Sequence, residues 1–324
     1  MTRRTDLRRK ATKARCLQPP DASRARRPRV RPATTAMALG LTLAGCAAAP
    51  LEQAGSLSSY SDLEKSDGML THSLVRVSKT DVLAAKTVKI VPTEFSGSAV
   101  ASQLTEKQRK LVTNAVDRTL CARLSERLEV VGPSAPADLI VHAAVTHIVP
   151  TNAAAGVSKG ASVATSILLP GVPVPIPRIP IGLGSLSLEA EAVGPMGSQA
   201  AAMVWGRGAN AFFGSARIAE EGDAYGLAAE FGADFGDLVV TGATPFGKFP
   251  SLPPMERVGA LLGGAPKYPA CAAFGRSPGV VGMVGDGLGV PPDWTDKGAD
   301  AGAPASAAQP APPSASLTRL EPQG

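Results

Sequence analysis

A change of hydrophobic period along residues 85–242 places the strongest constraint on the fold. The segment GSLSLEAEAV alternates strictly, because Leu186 and Leu188 share one side of an extended chain while Glu189 and Glu191 share the other. The turn sequence GPMGS follows, and QAAAMVWGRG then supplies a partner, so this region predicts a β-hairpin. Strands are also predicted in KTVKIVPTEF, RLEVV and ADLIVHAAVTHIV.

Two segments of the same region carry apolar residues at helical spacing. The first, LTEKQRKLVTNAVDRTLCARL, contains Thr105 with Gln108 three residues later, which fits a capping box. The second, GDAYGLAAEFGADFGDLVV, forms one apolar stripe with Asp223 as its expected cap. Few helices and consecutive strands predict an α+β fold, a two-layer mixed β-sheet packed by two amphipathic helices.

An apolar run that ends at a cysteine determines how much of the chain takes part in this fold. Residues 33–45 are uncharged and follow an arginine-rich block, and they are too few to span a bilayer as a helix, so they predict an export signal. LAGC at residues 43–46 resembles the lipobox of bacterial lipoproteins. That resemblance implies lipidation of Cys46, and Ala47 implies delivery to the cell outer membrane with the domain facing the periplasm. The alternative is an ordinary secretory signal with an incidental cysteine.

Composition divides the chain into five parts. Residues 1–45 are predicted to be a leader with a lipoprotein signal peptide, and residues 46–84 a tether to the α+β domain at 85–242. A Gly/Pro-rich appendix follows at 243–294, with one short helix predicted in PMERVGALLGG. Residues 295–324 are rich in Ala, Pro and Ser and are predicted to be a disordered tail.

Removal of the leader reverses the sign of the net charge. The full chain carries +6, but residues 1–45 hold 12 of its 33 basic and 2 of its 27 acidic side chains. The remainder holds 21 basic and 25 acidic side chains, a net charge of −4, so nucleic acid is not expected as a partner. With Cys16 in the leader and Cys46 as the anchor, Cys121 and Cys271 remain, and they are either one disulfide or two separate buried thiols.

An uncharged, proline-rich insertion interrupts the domain at residues 160–177. Its four prolines remove backbone donors, so it does not predict a membrane-spanning helix. Either this apolar loop folds over the sheet, or it contacts a partner or the membrane, as large apolar patches commonly do. The candidate contact residues are its large aliphatic side chains, Ile167, Leu168, Leu169, Val172, Val174 and Ile176.

No constellation of side chains predicts catalysis, a metal site or a cofactor. His142 and His147 are five residues apart on one predicted strand and point to opposite faces unless a bulge intervenes, and His72 lies in the tether. Glu189 and Glu191 share a face, which a solvated outer row explains. The glycines of GRSPGVVGMVGDGLGVPP lack the flanking elements of a phosphate-binding loop and are expected to allow close backbone packing. The protein is therefore not expected to be an enzyme.

Taken together, the motifs resemble a family of bacterial lipoproteins, domain of unknown function 3313. The resemblance covers about residues 55–242 and rests on VLAAKTVKIVPTEFS, VDRTLCARLSERLEVV, ADLIVHAAVTHIVPTN, SILLPG before LGSLSLEAEAV, and GDAYGLAAEFGADF. It implies no activity and no catalytic residues.

Two functions fit these observations. The first is an outer-membrane lipoprotein held by its N-terminal lipid anchor, a non-enzymatic binding or assembly module of the cell envelope that contacts an unidentified envelope protein. The second is an oligomeric component of an export apparatus, whose apolar segment 153–184 inserts into the membrane. The sequence leaves the oligomeric state open.

Overall fold

One mixed β-sheet organises the computed structural model, which describes residues 49–152, 182–210, 217–247, 255–296 and 298. The strands are β1 (Glu64–Lys65), β2 (Thr71–Val77), β3 (Thr87–Ile90), β4 (Glu94–Phe95), β5 (Glu129–Val130), β6 (Leu139–Val149), β7 (Ser185–Val193) and β8 (Gln199–Gly208). They run in the order β1-β2-β8-β7-β6-β3-β5, and β4 pairs with β6 next to the part of β6 that pairs with β3. The pairs β3–β5, β3–β6 and β4–β6 are parallel and the others antiparallel.

Helices cover one face of this sheet. The described helices are α1 (Lys79–Ala84), α2 (Glu106–Leu124), α3 (Gly222–Thr241), α4 (Met255–Leu261), α5 (Gly279–Leu288) and α6 (Pro292–Thr295), with 3-10 turns at Gly97–Ala101 and Pro269–Phe274. The two long helices, α2 and α3, pack on each other and on the central strands, which confirms the predicted α+β fold with two helices on a mixed sheet.

The two long helices begin in different ways. At α2 the predicted capping box is confirmed, since Gln108 N donates to Thr105 Oγ1 at 3.3 Å and Thr105 N donates to Gln108 Oε1 at 2.8 Å. At α3 the cap position is Glu221, and the predicted cap Asp223 lies buried inside the first turn. There Asp223 accepts a hydrogen bond from Gly184 N at 2.9 Å, which ties α3 to the start of β7.

Aromatic residues fill the core between β8 and α3. Trp205 of β8 is fully buried and meets Phe231 edge to face at a centroid distance of 5.7 Å, while Phe231 stacks on Phe235 at 6.2 Å. Gly232 lets α3 approach α2, because a Cβ atom there would lie 2.8 Å from Val116 O. Each fully buried large apolar side chain contributes about 1.5–3 kcal/mol to stability.

Residues 49–84, predicted as a tether, are instead part of the folded unit. Strand β2 lies in this range and pairs antiparallel with β8 along its whole length, from Thr71 to Val77. The polar run before β2 forms a hairpin with it, in which Asp67 accepts a hydrogen bond from Ser73 N at 3.0 Å. The domain therefore begins well before residue 85. The polar composition of the run before β2 reflects hairpin formation and not a free linker.

Several predicted features lie outside the described residues. These are the leader 1–45, the lipidation site Cys46, the apolar side chains of the insertion (Ile167, Leu168, Leu169, Val172, Val174 and Ile176) and most of the tail 295–324. Of the tail, Asp296 is buried and accepts a hydrogen bond from Arg118 at 2.7 Å, so ordered structure extends past the predicted boundary. Within the described part of the chain, no helix has both the length and the hydropathy to cross a bilayer.

Candidate functional site

A strap formed by residues 49–60 covers the face of the sheet opposite the long helices. It starts beside the beginning of β7, where Ser187 Oγ donates to Pro50 O at 2.6 Å. It ends beside the last residues of β7, where Ser58 N donates to the carboxylate of Glu191 at 2.8 Å. The strap therefore runs in the same direction as β7 and covers the outer face of that strand along its length.

Two carboxylates of β7 hold the strap in place. Glu189 is 0% exposed and accepts hydrogen bonds from Tyr60 Oη at 2.7 Å, from Ala54 N at 2.9 Å and from both the main chain and the hydroxyl of Ser56. Burial and the hydrogen bond to Glu189 raise the pKa of Tyr60 above its usual value.

The second carboxylate, Glu191, accepts from Ser58 Oγ at 2.6 Å and from Gln199 Nε2 at 2.8 Å. The predicted alternation along β7 is confirmed, but the predicted solvated row of Glu189 and Glu191 is wrong, because the strap buries both side chains. Buried charges are stable only when paired or fully hydrogen-bonded, and here hydroxyl and amide donors supply those bonds. The pair therefore acts as a structural clamp.

The histidines of β6 also lie on this outer face. The register of β6 shifts between Val145 and His147, which places His147 opposite Ser187 and His142 opposite Glu191. This bulge corrects the expectation that the two rings point to opposite faces. His147 Nδ1 lies 3.3 Å from Glu52 Oε1 in the strap. In the part of the chain that the structure describes, no group of three or more His, Cys, Asp or Glu side chains could hold a metal ion.

The strap begins at one end of the sheet, which we call the rim and define by the paired ends of β6, β7, β8 and β2. Gly206 leaves room for the strap there, since a Cβ atom at Gly206 would lie 3.1 Å from Ala49 O. The chain leaves the rim toward the insertion at Asn152 and returns at Gly182, and Asn152 N donates to Gly182 O at 2.8 Å. The rim thus brings together the start of the strap and both ends of the insertion.

Exposed apolar side chains mark the rim. Met69, in the turn before β2, is 93% exposed, Val149 at the end of β6 is 41% exposed, and Ile218, near the segment after β6, is 50% exposed. At the opposite end of the sheet, the β7–β8 turn carries Met196, which is 95% exposed. Met69 and Met196 therefore lie exposed at opposite ends of the same sheet.

A second site is a cavity of about 1040 Å³ between the outer faces of α2 and α3 and the appendix. A disulfide joins Cys121 of α2 to Cys271 of the appendix, which settles the alternative that the sequence left open. Ion pairs hold the same two layers together, and Arg257 donates to both carboxylate oxygens of Glu126 at 2.7 and 2.8 Å. The appendix is thus a clamped roof over the two long helices.

Charged side chains line this cavity unevenly. Arg217 pairs with Asp286, and Arg118 pairs with Asp296, but Arg118 Nη1 and Arg123 Nε are buried without a hydrogen-bond partner among the described residues. The basic lining residues are Arg118, Arg123, Arg217, Arg257, Lys267 and Arg276, and the acidic ones are Glu126, Glu230 and Asp286. Because Asp237 and Asp296 also pair with lining arginines, the basic lining residues without an acidic partner among the described residues are Lys267 and Arg276.

The glycine-rich segment of the appendix forms helix α5, which the sequence did not predict. A Cβ atom at Gly279 would lie 2.5 Å from Leu262 O, and one at Gly285 would lie 2.8 Å from Thr295 Cγ2. These glycines allow close packing, as expected, and their described neighbours belong to the appendix, apart from Thr295 at the start of the predicted tail. The exposed side of α5 is apolar and includes Val281 and Leu288.

A buried carboxyl group lies apart from both sites. Asp117 of α2 accepts hydrogen bonds from Thr93 N at 3.1 Å and from Thr93 Oγ1 at 2.5 Å, and burial raises its pKa to about 7. Its contacts tie α2 to the loop between β3 and β4. They are structural contacts, because Asp117 does not line the cavity.

The family model with the description "Protein of unknown function (DUF3313)" matches residues 52–235, more than half of the chain. The chain belongs to the DUF3313 family. The DUF3313 match includes the strap from residue 52 onward and ends inside α3, before the appendix. The strap clamp therefore lies within the family region, whereas the roof of the cavity lies outside it.

Two solved structures of PelC dodecamers from Paraburkholderia phytofirmans are similar to the DUF3313 protein. A point variant in space group C2 has 11% identity and a TM-score of 0.27, and covers 50% of this chain and 95% of PelC. A second structure, in space group P6, has 13% identity and a TM-score of 0.30, and covers 49% and 96%. No residue role is transferred at this level of similarity. No curated protein matches the chain significantly.

Proposed function

We propose that the protein is an outer-membrane lipoprotein, anchored through Cys46, that holds its rim against the membrane and acts as a non-enzymatic binding or assembly module facing the periplasm. The observation that carries this proposal is the short distance along the chain between the lipid anchor and the folded domain. Ala49 is already packed on Gly206, and it follows Cys46 by only three residues. Three residues span at most about 11 Å.

The short link limits how the domain can sit on a membrane. A lipidated Cys46 enters the bilayer surface, so the rim beside Ala49 lies within about 11 Å of the lipid head groups. Rotation about a long tether, which would let any face of the domain approach the membrane, is not available. The exposed side chains of Met69, Val149 and Ile218 are then placed where apolar surface is stabilised by lipid.

The way in which the acidic groups are used supports the proposal of a non-enzymatic module. Glu189 and Glu191 are neighbouring carboxylates on β7, and among the described residues their donors come from the strap and from Gln199. General acid or base catalysis needs a carboxyl group that can reach a substrate proton, and these two are covered. The periplasmic partner is proposed to be an envelope protein.

The second candidate function is an oligomeric export component whose segment 153–184 enters the membrane. One observation favours it, namely that both ends of this segment, Asn152 and Gly182, lie at the rim beside the anchored end of the strap. An apolar segment that starts and ends at the rim reaches the bilayer surface without any rearrangement of the sheet.

Two exposed methionines allow a direct test of the proposed orientation. Met69→Cys and Met196→Cys each place one reactive thiol in a turn, at opposite ends of the sheet, while Cys121 and Cys271 stay in their disulfide. Each variant, purified with its own lipid, is labelled with a fluorophore and inserted into vesicles that contain lipids with quenching groups at the head-group level.

We expect quenching of the label at position 69 and none at position 196. Equal quenching, or stronger quenching at 196, would reject the orientation while leaving the anchor intact. Failure of the protein to bind vesicles would reject the anchor itself. Crosslinking from residues Ser166 and Val174 in intact cells separates the two candidate functions, because adducts to a discrete protein favour the binding module and adducts to lipid favour insertion.

A further inference from the structure

We propose that the cavity between α2, α3 and the appendix is a binding site for an acyl chain with an anionic head group. Its volume of about 1040 Å³ lies at the upper end of the range for small-molecule sites, which suits a long flexible ligand. This inference goes beyond the anchored orientation, because the cavity lies on the helix side of the sheet and does not depend on lipidation of Cys46.

The floor of the cavity is built from small residues on two packed helices. Ala115 and Ala122 of α2 line it, together with Ala229 and Ala233 of α3, which are one helical turn apart. Side chains of this size leave space above the helix pair, and they offer an acyl chain an apolar surface without polar groups that would lose their hydration. Leu261 and Val290 add apolar surface from the roof.

The charge of the lining selects the sign of the head group. Four of the six basic lining residues pair with acidic side chains, Arg118 with Asp296, Arg123 with Glu126 and Asp237, Arg217 with Asp286 and Arg257 with Glu126, whereas Lys267 and Arg276 have no acidic partner among the described residues. A guanidinium group forms charge-assisted, often bidentate hydrogen bonds with a carboxylate or a phosphate. Arg276 is exposed, lines the cavity and pairs with no acidic side chain of the described residues, so it is available at the entrance.

The roof explains how a ligand could be retained and released. The appendix is fastened to α2 and the residues that follow it by the disulfide Cys121–Cys271, by the ion pairs Arg257–Glu126 and Lys107–Asp293, and by a hydrogen bond from Lys267 to Ser125 O. The disulfide is a covalent link between the roof and α2, and it keeps the roof over the cavity. Reduction of the disulfide should therefore weaken retention of the ligand.

The test uses the full chain with Cys46→Ser, which avoids detergent, and cis-parinaric acid, a fatty acid that becomes fluorescent in apolar sites. We expect saturable binding of the acid and weaker binding of its methyl ester, which has the same chain without the charge. Arg276→Gln should weaken binding of the acid by roughly two- to fivefold and leave the ester unaffected, as expected for one exposed charge. Arg109→Gln, on α2 but away from the cavity, is the matched control.

The double variant Ala229→Phe and Ala233→Phe fills the floor and should weaken both probes by roughly tenfold, with circular dichroism to verify folding. Competition with lysophosphatidylglycerol identifies the head group: displacement of the acid supports a phosphate ligand, and lack of displacement supports a carboxylate ligand. No saturable binding, or binding that the folded double variant leaves unchanged, would overturn the site. Equal affinity for acid and ester, together with no effect of Arg276→Gln, would overturn the anionic head group.

Discussion

The strap clamp provides the most quantitative prediction. Glu189→Gln keeps the shape of the side chain but replaces one acceptor oxygen by an amide donor. In the native protein Oε1 accepts from Ala54 N, and Oε2 accepts from Tyr60 Oη and from the amide and hydroxyl of Ser56, so the new NH₂ group faces a main-chain N–H in either orientation. The hydroxyl groups can rotate to accept instead, but Ala54 N and Ser56 N cannot.

The expected cost follows from these contacts. Leaving one buried N–H without an acceptor costs about 1–3 kcal/mol, and exchanging charge-assisted bonds for neutral ones adds about 1 kcal/mol or more. We therefore expect Glu189→Gln to lower the free energy of unfolding by about 3 kcal/mol. Urea unfolding followed by the fluorescence of buried Trp205 measures this change. Hydrogen exchange should show loss of protection in residues 49–60 first.

A matched control separates the clamp from the general effect of losing a carboxylate. Glu64 lies exposed on β1, and Glu64→Gln should change the free energy of unfolding by less than about 0.5 kcal/mol. If Glu189→Gln stays within about 1 kcal/mol of this control and the strap keeps its protection, the clamp does not hold the strap in the way proposed here.

The remaining predictions concern the helix layer and the roof. The folded pKa of Asp117, about 7, lies above its ordinary value of 3.8. The protonated carboxyl group therefore contributes its full share of stability below pH 4, and this share is lost as the pH rises to 7. Asp117→Asn should remove up to about 4 kcal/mol of this decline in urea unfolding measured at a series of pH values. Reduction of Cys121–Cys271 should lower stability by about 2–5 kcal/mol and speed hydrogen exchange in residues 255–296, and unchanged exchange there would contradict the role of the disulfide as the fastening of the roof. Gly232→Ala should destabilise by about 1–3 kcal/mol, because its Cβ would meet main-chain atoms of α2, whereas Gly259→Ala has open space and should be neutral or slightly stabilising in thermal melts.

Local patterns in the sequence predict those strands and helices whose apolar residues recur on the side that faces the core. The alternation from Leu186 onward predicts the β7–β8 hairpin, and the Thr105 capping box with the apolar stripe behind it predicts α2. In each case the period of the apolar residues is set by the side of the element that faces the core. The fold class follows from the order of these elements.

The clamp could not be predicted in the same way. Whether Glu189 faces solvent depends on the segment that covers it, and its partner Ala54 is 135 residues away along the chain. Period alone identifies which residues share a face but carries no information on what lies above that face. One signal was present, since SLSSY at residues 56–60 is rich in hydroxyl donors, the groups that a buried carboxylate requires.

The cavity and helix α5 were missed for a related reason. Glycine disfavours helices in isolation, so the run from Gly279 to Leu288 predicts no helix by propensity. Close packing against Leu262 and Thr295 overrides that preference, because a side chain at the glycine positions would collide with them. Only the pair Cys121 and Cys271 hinted that the appendix lies over α2.

We propose that a lipid three residues before the strap holds the folded unit at the membrane. Mass spectrometry of the mature protein isolated from cell envelopes tests this proposal directly. We expect Cys46 as the first residue, with a diacylglyceryl group on its thiol and an acylated amino group. A mature protein that begins elsewhere, or that carries an unmodified Cys46, would contradict it.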